Sequence, residues 1–90
     1  MSLNKFEGGY YVYILKSKKD GSYYIGYSAN LNSRLEKHNS ATTGYTSTKQ
    51  PWELVYQESY DTKNEALQRE LAIKRKKSRG YIEFLIEGVG

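Results

Sequence analysis

The fold of this chain is decided by residues 10–27, which read YYVYILKSKKDGSYYIGY. Residues 10–15 are aromatic and β-branched, as is typical of a strand. Asp20-Gly21 is a hairpin turn signal, and residues 22–27 have the composition of the returning strand. The stretch therefore predicts a β-hairpin near the start of the chain.

The length of the hairpin loop determines which side chains share a face of the sheet. A loop of two or four residues places Tyr13 and Leu15 on the same face as Tyr24 and Gly26, whereas a three-residue loop would not. With a four-residue loop Tyr13 stands opposite Gly26, and Tyr13 and Tyr24 become diagonal neighbours with Cα atoms about 7–8 Å apart. Because Gly26 has no side chain, it would let a nucleic-acid phosphate approach the backbone closely.

A first helix is predicted after the hairpin. Asn30 is a good N-cap, and the helix runs to about His38 with Leu31 and Leu35 as its apolar anchors. Arg34 and His38 lie three residues after these two leucines, so both basic side chains border the apolar stripe.

The segment after this helix is polar and long. Residues 39–50 are rich in Ser, Thr and Gly, and a loop of this length is either functional or mobile. Pro51 ends it, and residues 52–56 alternate as a third strand that runs on towards Tyr60.

Two further helices complete the chain. Thr62 and Glu65 form a capping box at the start of a second helix, in which Glu70 falls inside the apolar stripe formed by Ala66, Leu67, Leu71 and Ile73. Ser78 can cap a last short helix, which carries Tyr81, Ile82, Leu85 and Ile86.

The predicted element order is β-β-α-β-α-α, which is an α+β fold with a three-stranded sheet flanked by helices. Ninety residues form one small domain, which we place at residues 10–87 after a disordered leader at residues 1–9. The chain has no cysteine, which excludes disulfides, thiolate metal sites and a cysteine nucleophile. With no signal peptide or membrane-length apolar run, we expect a cytoplasmic protein without a membrane partner.

The charge distribution favours an anionic partner. The net charge is +4, the isoelectric point is about 9.2, and five basic residues crowd one acid-free segment: Lys74, Arg75, Lys76, Lys77 and Arg79. Such a segment attracts the phosphate backbone of nucleic acid. The alternative is a solvated helix end, because cations also suit a helix C-terminus.

Three kinds of side chain could carry chemistry. The carboxylate of Glu70, on a buried helix face, needs a partner or a metal ion, and the structural alternative is a salt bridge, for instance to Arg34. Arg34 and His38 project from one helix face. An arginine suits a phosphate, and a histidine can donate a proton to a leaving oxygen or contact a second phosphate, although His38 could also be a packing residue. Tyr13 and Tyr24 are either ordinary sheet aromatics or proton acceptors whose ionisation a nearby cation favours.

Together these residues resemble the GIY-YIG nuclease superfamily. Tyr11-Val12-Tyr13 is similar to its first signature, and Tyr24-Ile25-Gly26 matches the second literally. The intervals of eleven residues from Tyr13 to Tyr24, ten to Arg34 and four to His38 also resemble the superfamily's spacing. Residues 66–70, followed by Ile73-Lys74, are similar to the segment that presents the metal-binding glutamate. The resemblance covers residues 10–86 and is nearest to the short, stand-alone bacterial branch.

The resemblance implies a three-stranded antiparallel sheet flanked by helices and a metal-dependent endonuclease that cleaves DNA, in branched or damaged structures. It implies that Glu70 holds one divalent ion, Mg²⁺ or Mn²⁺. In this reading Tyr13, or Tyr24 with it, takes the proton from the attacking water. Arg34 stabilises the pentacovalent phosphate, and His38 assists or orients.

Two other functions remain open at this point. A non-catalytic nucleic-acid-binding module on the same fold would use the basic segment equally well, and a protein-interaction domain would use the aromatic sheet only as a core. Neither requires Glu70, Arg34 and two tyrosines together. Without a separate DNA-binding domain, the protein should bind DNA weakly and with little sequence preference, unless a protein partner or a dimer assists.

Overall fold

A computed structural model describes residues 9–88 of the chain. The strands are β1 (Tyr10–Ser17), β2 (Tyr23–Ser28) and β3 (Trp52–Tyr60), and the helices are α1 (Leu31–Ser40), α2 (Lys63–Lys76) and α3 (Arg79–Glu87). The sheet is antiparallel with the order β2-β1-β3, which confirms the predicted α+β architecture. The predicted leader lies outside the described residues except for residue 9. Among residues 9–88, no helix combines the length and apolar character needed to cross a bilayer.

The hairpin has the register expected for a four-residue loop. The Ser17 amide donates to the Ser22 carbonyl over 2.8 Å, and Tyr13 pairs with Gly26 across the two strands. Gly21 has φ of +79°, a left-handed conformation that glycine adopts without strain. The side chain of Asp20 accepts a hydrogen bond from the Ser22 amide and closes the turn.

β1 is the central strand and is buried on both faces. On one face, which we call the α2 face, Val12 packs with Ala66 and Ile73 of α2 and with residues of α3. On the other, the α1 face, a second cluster joins Tyr13, Leu15 and Trp52 to Tyr24, Leu31, Leu35 and Leu54. The helices therefore cover the sheet from both sides and place Tyr13 beneath α1.

A β-bulge in β3 interrupts its alternation. Ile14 pairs with Tyr56, but the next residue, Leu15, pairs with Leu54, so Val55 is the extra residue. Residues directly opposite each other in an antiparallel pair lie on the same face. Leu54 therefore belongs to the α1 face and Tyr56 to the α2 face, although simple alternation would place them together.

The three predicted helix starts are confirmed. Asn30 accepts a hydrogen bond from the Ser33 amide, and Ser78 accepts one from the Tyr81 amide. Thr62 and Glu65 form the reciprocal capping box. The polar segment 39–50 contains a short 3-10 helix, Tyr45–Lys49, which the sequence did not predict.

Candidate active site

Three of the predicted site residues form one cluster beneath α1. The Tyr13 hydroxyl lies 3.2 Å from Nε2 of His38. The rings of Tyr24 and His38 have centroids 4.6 Å apart, and those of Tyr13 and Tyr24 are 6.4 Å apart. Hairpin register brings the two tyrosines together, and α1 delivers His38 from its last turn.

Gly26 makes room for Tyr13. A Cβ atom at this position would lie 2.6 Å from the Tyr13 hydroxyl oxygen and 2.8 Å from Cζ, which no real Cβ tolerates. The glycine is buried, and the Tyr13 ring occupies the space that a side chain would fill. Packing against Tyr13 thus explains why residue 26 is a glycine. A contact between Gly26 and a phosphate stays a prediction.

The C-terminal end of α1 is anchored by side chains near His38. Asn39 exchanges two hydrogen bonds with the backbone of Trp52, over 3.1 and 2.6 Å. The side chain of Gln50 donates to the His38 carbonyl over 2.9 Å. These contacts tie the helix to the start of β3 and so restrict the orientation of the buried His38 side chain.

The electrostatics of the Tyr13–His38 pair favour two neutral partners. Burial raises the pKa of Tyr13 well above its ordinary value of 10.0; Tyr24 and Glu70 add to this and Arg34 opposes it. Burial, with the positive charges of Arg34 and Lys37, lowers the pKa of His38 below 6.5. At neutral pH a protonated tyrosine therefore faces a neutral histidine.

Arg34 lies on the same side of α1 as His38 and is half-buried. Its charge acts on both members of the Tyr13–His38 pair. Within residues 9–88, no ion pair involves its guanidinium. The guanidinium is therefore available to bind an anion.

Glu70 belongs to α2, which covers the face of the sheet opposite Tyr13. The residue is 7% exposed, and its negative charge contributes to the raised pKa of Tyr13, so the two groups interact electrostatically. Oε2 accepts a hydrogen bond from Nζ of Lys74 over 2.7 Å. Lys74, one turn along the same helix, is therefore the salt-bridge partner, and not Arg34 as the sequence suggested.

The donor set near Glu70 fits one hard cation. In the described part of the chain, no three His, Cys, Asp or Glu side chains lie close enough together to form a protein cage for a metal ion. Mg²⁺ commonly binds to one or two carboxylates and completes its shell with waters and substrate phosphates. Glu70 alone matches that pattern, provided that Lys74 moves aside.

The predicted basic segment is not one uniform surface. Lys74 pairs with Glu70, and Arg79 pairs with Glu83 over 3.1 Å. The Arg79 guanidinium also stacks on the Tyr23 ring, with 4.6 Å between its Cζ and the ring centroid, and Nζ of Lys76 lies 5.0 Å from the ring centroid of Tyr81. Arg75 and Lys77 are exposed. Nucleic-acid binding by the five residues stays a prediction.

Sequence reasoning missed a half-buried network that holds α2 on the sheet. Arg69 donates to both carboxylate oxygens of Glu58 over 2.9 and 3.0 Å. The hydroxyls of Tyr56 and Tyr60 donate to the same carboxylate. Burial opposes ionisation, yet these hydrogen bonds lower the pKa of Glu58. The bulge that turns Tyr56 towards α2 is the signal that the sequence pattern did not show.

Comparison with known proteins gives matches over most of the chain. Residues 9–82 match the family described as the GIY-YIG catalytic domain. A UPF0213 protein of Staphylococcus saprophyticus is 44% identical over 80 residues, which cover 88% of this chain and 96% of the relative. A UPF0213 protein of Staphylococcus epidermidis is 45% identical with the same coverage.

A solved structure also resembles this fold. It is the solution NMR structure of a UPF0213 protein from Bacillus halodurans, with a TM-score of 0.57 and 37% sequence identity. The match covers 91% of this chain and 86% of that protein. The likeness therefore extends over nearly the whole of both molecules.

Proposed function

The chain belongs to the GIY-YIG catalytic domain family, a nuclease superfamily, and on this premise we propose that it is a divalent-metal-dependent endonuclease that hydrolyses DNA phosphodiester bonds. The single observation that carries the proposal is the buried Tyr13–His38 hydrogen bond, which lies within electrostatic reach of both Arg34 and Glu70. A tyrosine with a proton acceptor, an anion-binding arginine and a metal-binding carboxylate are groups that can serve phosphodiester hydrolysis.

Tyr13 acts as a proton relay in this proposal. Its raised pKa makes it a poor base by itself. His38 supplies the acceptor in the tautomer with its ring proton on Nδ1, because the ring is neutral at pH 7 and the free Nε2 lies within hydrogen-bond distance of the hydroxyl. The Tyr13 oxygen takes a proton from the attacking water as its own proton passes to Nε2. The tight Tyr24–His38 ring contact keeps the imidazole aligned.

Arg34 stabilises the phosphate. Arg34 lies one turn before His38 on α1, so a phosphate bound by its guanidinium would lie near the proton relay. The planar guanidinium matches two phosphate oxygens and is most effective as their negative charge grows in the transition state.

Glu70 would hold the divalent ion, Mg²⁺ or Mn²⁺. Such an ion supplies Lewis-acid stabilisation of the leaving oxygen. The contribution of the chain is a buried carboxylate whose present counter-charge, Lys74, is exposed and on a flexible side chain. That lysine can turn towards solvent or towards the DNA backbone when Glu70 takes another partner.

The substrate we propose is branched or damaged DNA, cut in the cytoplasm with little sequence preference. The cations in and near the last turn of α2, including the exposed Arg75 and Lys77, would contact phosphates and not bases. The ion pairs that already engage Lys74 and Arg79 limit this surface. Binding should therefore be weak and sensitive to salt.

A second candidate function is a non-catalytic nucleic-acid-binding module. The Lys74–Glu70 salt bridge favours it, because this pair satisfies the buried carboxylate without any metal ion. In that case the Tyr13–His38 pair would only stabilise the core beneath α1.

A nuclease assay separates the two functions. Purified protein is incubated with flapped, nicked and intact duplex DNA in the presence of Mg²⁺, Mn²⁺ or EDTA. We expect metal-dependent cleavage of the flapped or nicked DNA, lost in Glu70→Ala and in Arg34→Ala. Binding without cleavage across all substrates and metals would favour the non-catalytic module.

A further inference from the structure

A row of aromatic rings leads from the candidate catalytic residues to the surface. His38 contacts Tyr24, whose ring centroid lies 6.1 Å from that of Trp52. Trp52 in turn lies 6.4 Å from Tyr45, the first residue of the 3-10 helix. Tyr45 is thus two ring contacts away from Tyr24, at the outer end of the row.

Tyr45 is exposed, although Trp52, whose ring lies next to it, is buried. The tyrosine is 55% exposed, whereas Trp52 is only 3% exposed. Trp52 has its own hydrogen-bond partner, since Nε1 donates to the Thr46 carbonyl over 2.9 Å. The Tyr45 ring is therefore not needed to satisfy a polar group of the core, and much of its surface is open to a ligand.

The backbone around Tyr45 is held in place by its own side chains. Ser47 donates to the Gly44 carbonyl and Thr48 to the Tyr45 carbonyl, both over 2.7 Å. Nζ of Lys19, from the hairpin turn, donates to the Thr48 carbonyl over 3.2 Å. An aromatic side chain on an ordered segment loses less conformational entropy when a ligand binds to it.

The charges near Tyr45 suit a phosphate backbone. Nζ of Lys49 lies 5.7 Å from the Tyr45 ring centroid. The hairpin turn that contacts this segment adds Lys18 and Lys19, against the single acid Asp20, which pairs with Lys49. The segment that carries the ring and the adjoining hairpin turn thus hold three cations and one anion, and an exposed ring with excess positive charge suits single-stranded nucleic acid.

We propose that Tyr45 stacks on an unpaired base of the DNA strand that is cleaved, so that the preferred substrate carries a single-stranded flap or gap. The identity of the ligand rests on the proposed nuclease function. An unpaired base fits better than a duplex, since the base faces inside a duplex are already covered by neighbouring bases. Every base presents such a face, so the contact adds affinity without sequence preference.

The test measures DNA binding in EDTA, where no metal ion supports cleavage. Fluorescence anisotropy compares the wild-type protein with Tyr45→Ala and with Tyr45→Leu, which keeps an apolar contact to Trp52. Phe84→Ala is the matched control, because Phe84 is 53% exposed and lies on α3, which packs on the opposite face of the sheet. The affinity of each protein is measured for a flapped DNA and for a continuous duplex of the same sequence.

We expect both Tyr45 variants to lose about tenfold in affinity for the flapped DNA, with duplex affinity unchanged and Phe84→Ala like wild type. A 2-aminopurine at the unpaired position should be quenched by the wild-type protein and not by Tyr45→Leu. Equal flap affinity in wild type and both Tyr45 variants, or an equal loss in Phe84→Ala, would overturn the proposal.

The same proteins assayed with Mg²⁺ or Mn²⁺ separate this proposal from the nuclease function. Flap binding that depends on Tyr45, without cleavage, supports the stacking contact and contradicts the endonuclease. Flap cleavage that is equally fast in wild type and Tyr45→Leu contradicts the stacking contact and supports the endonuclease.

Discussion

The Tyr13 hydroxyl lies 3.2 Å from Nε2 of His38, although twenty-five residues separate them along the chain. Burial raises the pKa of the tyrosine and lowers that of the histidine. The pair thus consists of a hydroxyl that keeps its proton and, in the tautomer with the ring proton on Nδ1, a nitrogen able to accept one. This relationship turns a common sheet tyrosine into a candidate proton relay.

The pH dependence of cleavage should report His38. Because its pKa is lowered below 6.5, the ring is neutral at pH 7 and becomes protonated only in more acidic buffer. A protonated ring cannot accept the tyrosine proton, so the single-turnover rate should fall on acidification with a midpoint below 6.5. His38→Gln keeps a polar side chain but does not titrate, and should be slower by about 100-fold with a flat acid limb.

Stability should follow the same titration. The folded-state pKa of His38 lies below its ordinary value, so between the two values the unfolded chain binds the proton first. The contribution of His38 to the free energy of unfolding is therefore full above pH 6.5 and is lost as the pH falls through the folded-state pKa.

For the cleavage profile, a midpoint above 6.5, or an acid limb that persists unchanged in His38→Gln, would contradict the role of His38 as proton acceptor.

Substitution of Gly26 should displace Tyr13. The Cβ of Gly26→Ala would clash with the Tyr13 ring at 2.6 and 2.8 Å, so we expect a loss of about 1–3 kcal/mol in the free energy of unfolding together with reduced cleavage. Gly80→Ala is the control, because its Cβ meets only Ser78 Oγ at 3.7 Å. Equal stability of the two variants in urea titrations would exclude the packing role.

Removal of Lys74 should strengthen metal binding. Its ammonium group occupies the Glu70 carboxylate, so Lys74→Gln should raise the affinity for Mn²⁺ about threefold, as expected from the modest energy of a partly exposed ion pair. Lys63→Gln, at the first position of the same helix, carries the same charge change and should have no effect. Manganese-induced broadening of NMR signals measures both, and broadening that does not centre on Glu70 would refute the metal assignment.

The Glu58–Arg69 pair should stabilise the protein without assisting cleavage. Glu58→Gln removes the charge that accepts hydrogen bonds from Arg69, Tyr56 and Tyr60, at a cost of about 2 kcal/mol. Glu83→Gln breaks the exposed pair with Arg79 and should cost less than about 1 kcal/mol. Thermal unfolding measures the difference. Cleavage by folded Glu58→Gln at the wild-type rate is expected, and a hundredfold loss would place Glu58 in the site.

Much of the fold could be predicted because it depends on local patterns. Asn30, Thr62 with Glu65, and Ser78 mark the helix starts through hydrogen bonds within one turn of chain. The Asp20-Gly21 signal marks the hairpin turn. Once the loop is taken to hold four residues, the register of the whole hairpin follows and Tyr13 stands opposite Gly26. These features require no knowledge of distant residues.

What could not be predicted depends on long-range geometry. The extra residue Val55 reverses the side-chain direction in β3, and only this reversal brings Tyr56 and Glu58 towards Arg69. Glu70 could have formed its salt bridge with Lys74, one turn away on the same helix, or with Arg34 on another helix. The sequence pattern does not distinguish the two partners. The row from His38 to Tyr45 joins four elements, and no periodicity in the sequence indicates it.

The most direct test of the central claim is the single-turnover cleavage rate of flapped DNA with Mg²⁺ or Mn²⁺, compared between Tyr13→Phe and Tyr11→Phe. Both changes remove one hydroxyl from β1 on the same face of the sheet, but only the Tyr13 hydroxyl contacts His38. We predict metal-dependent cleavage that falls by about 100-fold or more in Tyr13→Phe and stays at the wild-type rate in Tyr11→Phe. Equal rates in the two variants, or no cleavage by the wild-type protein with either ion, would contradict the account.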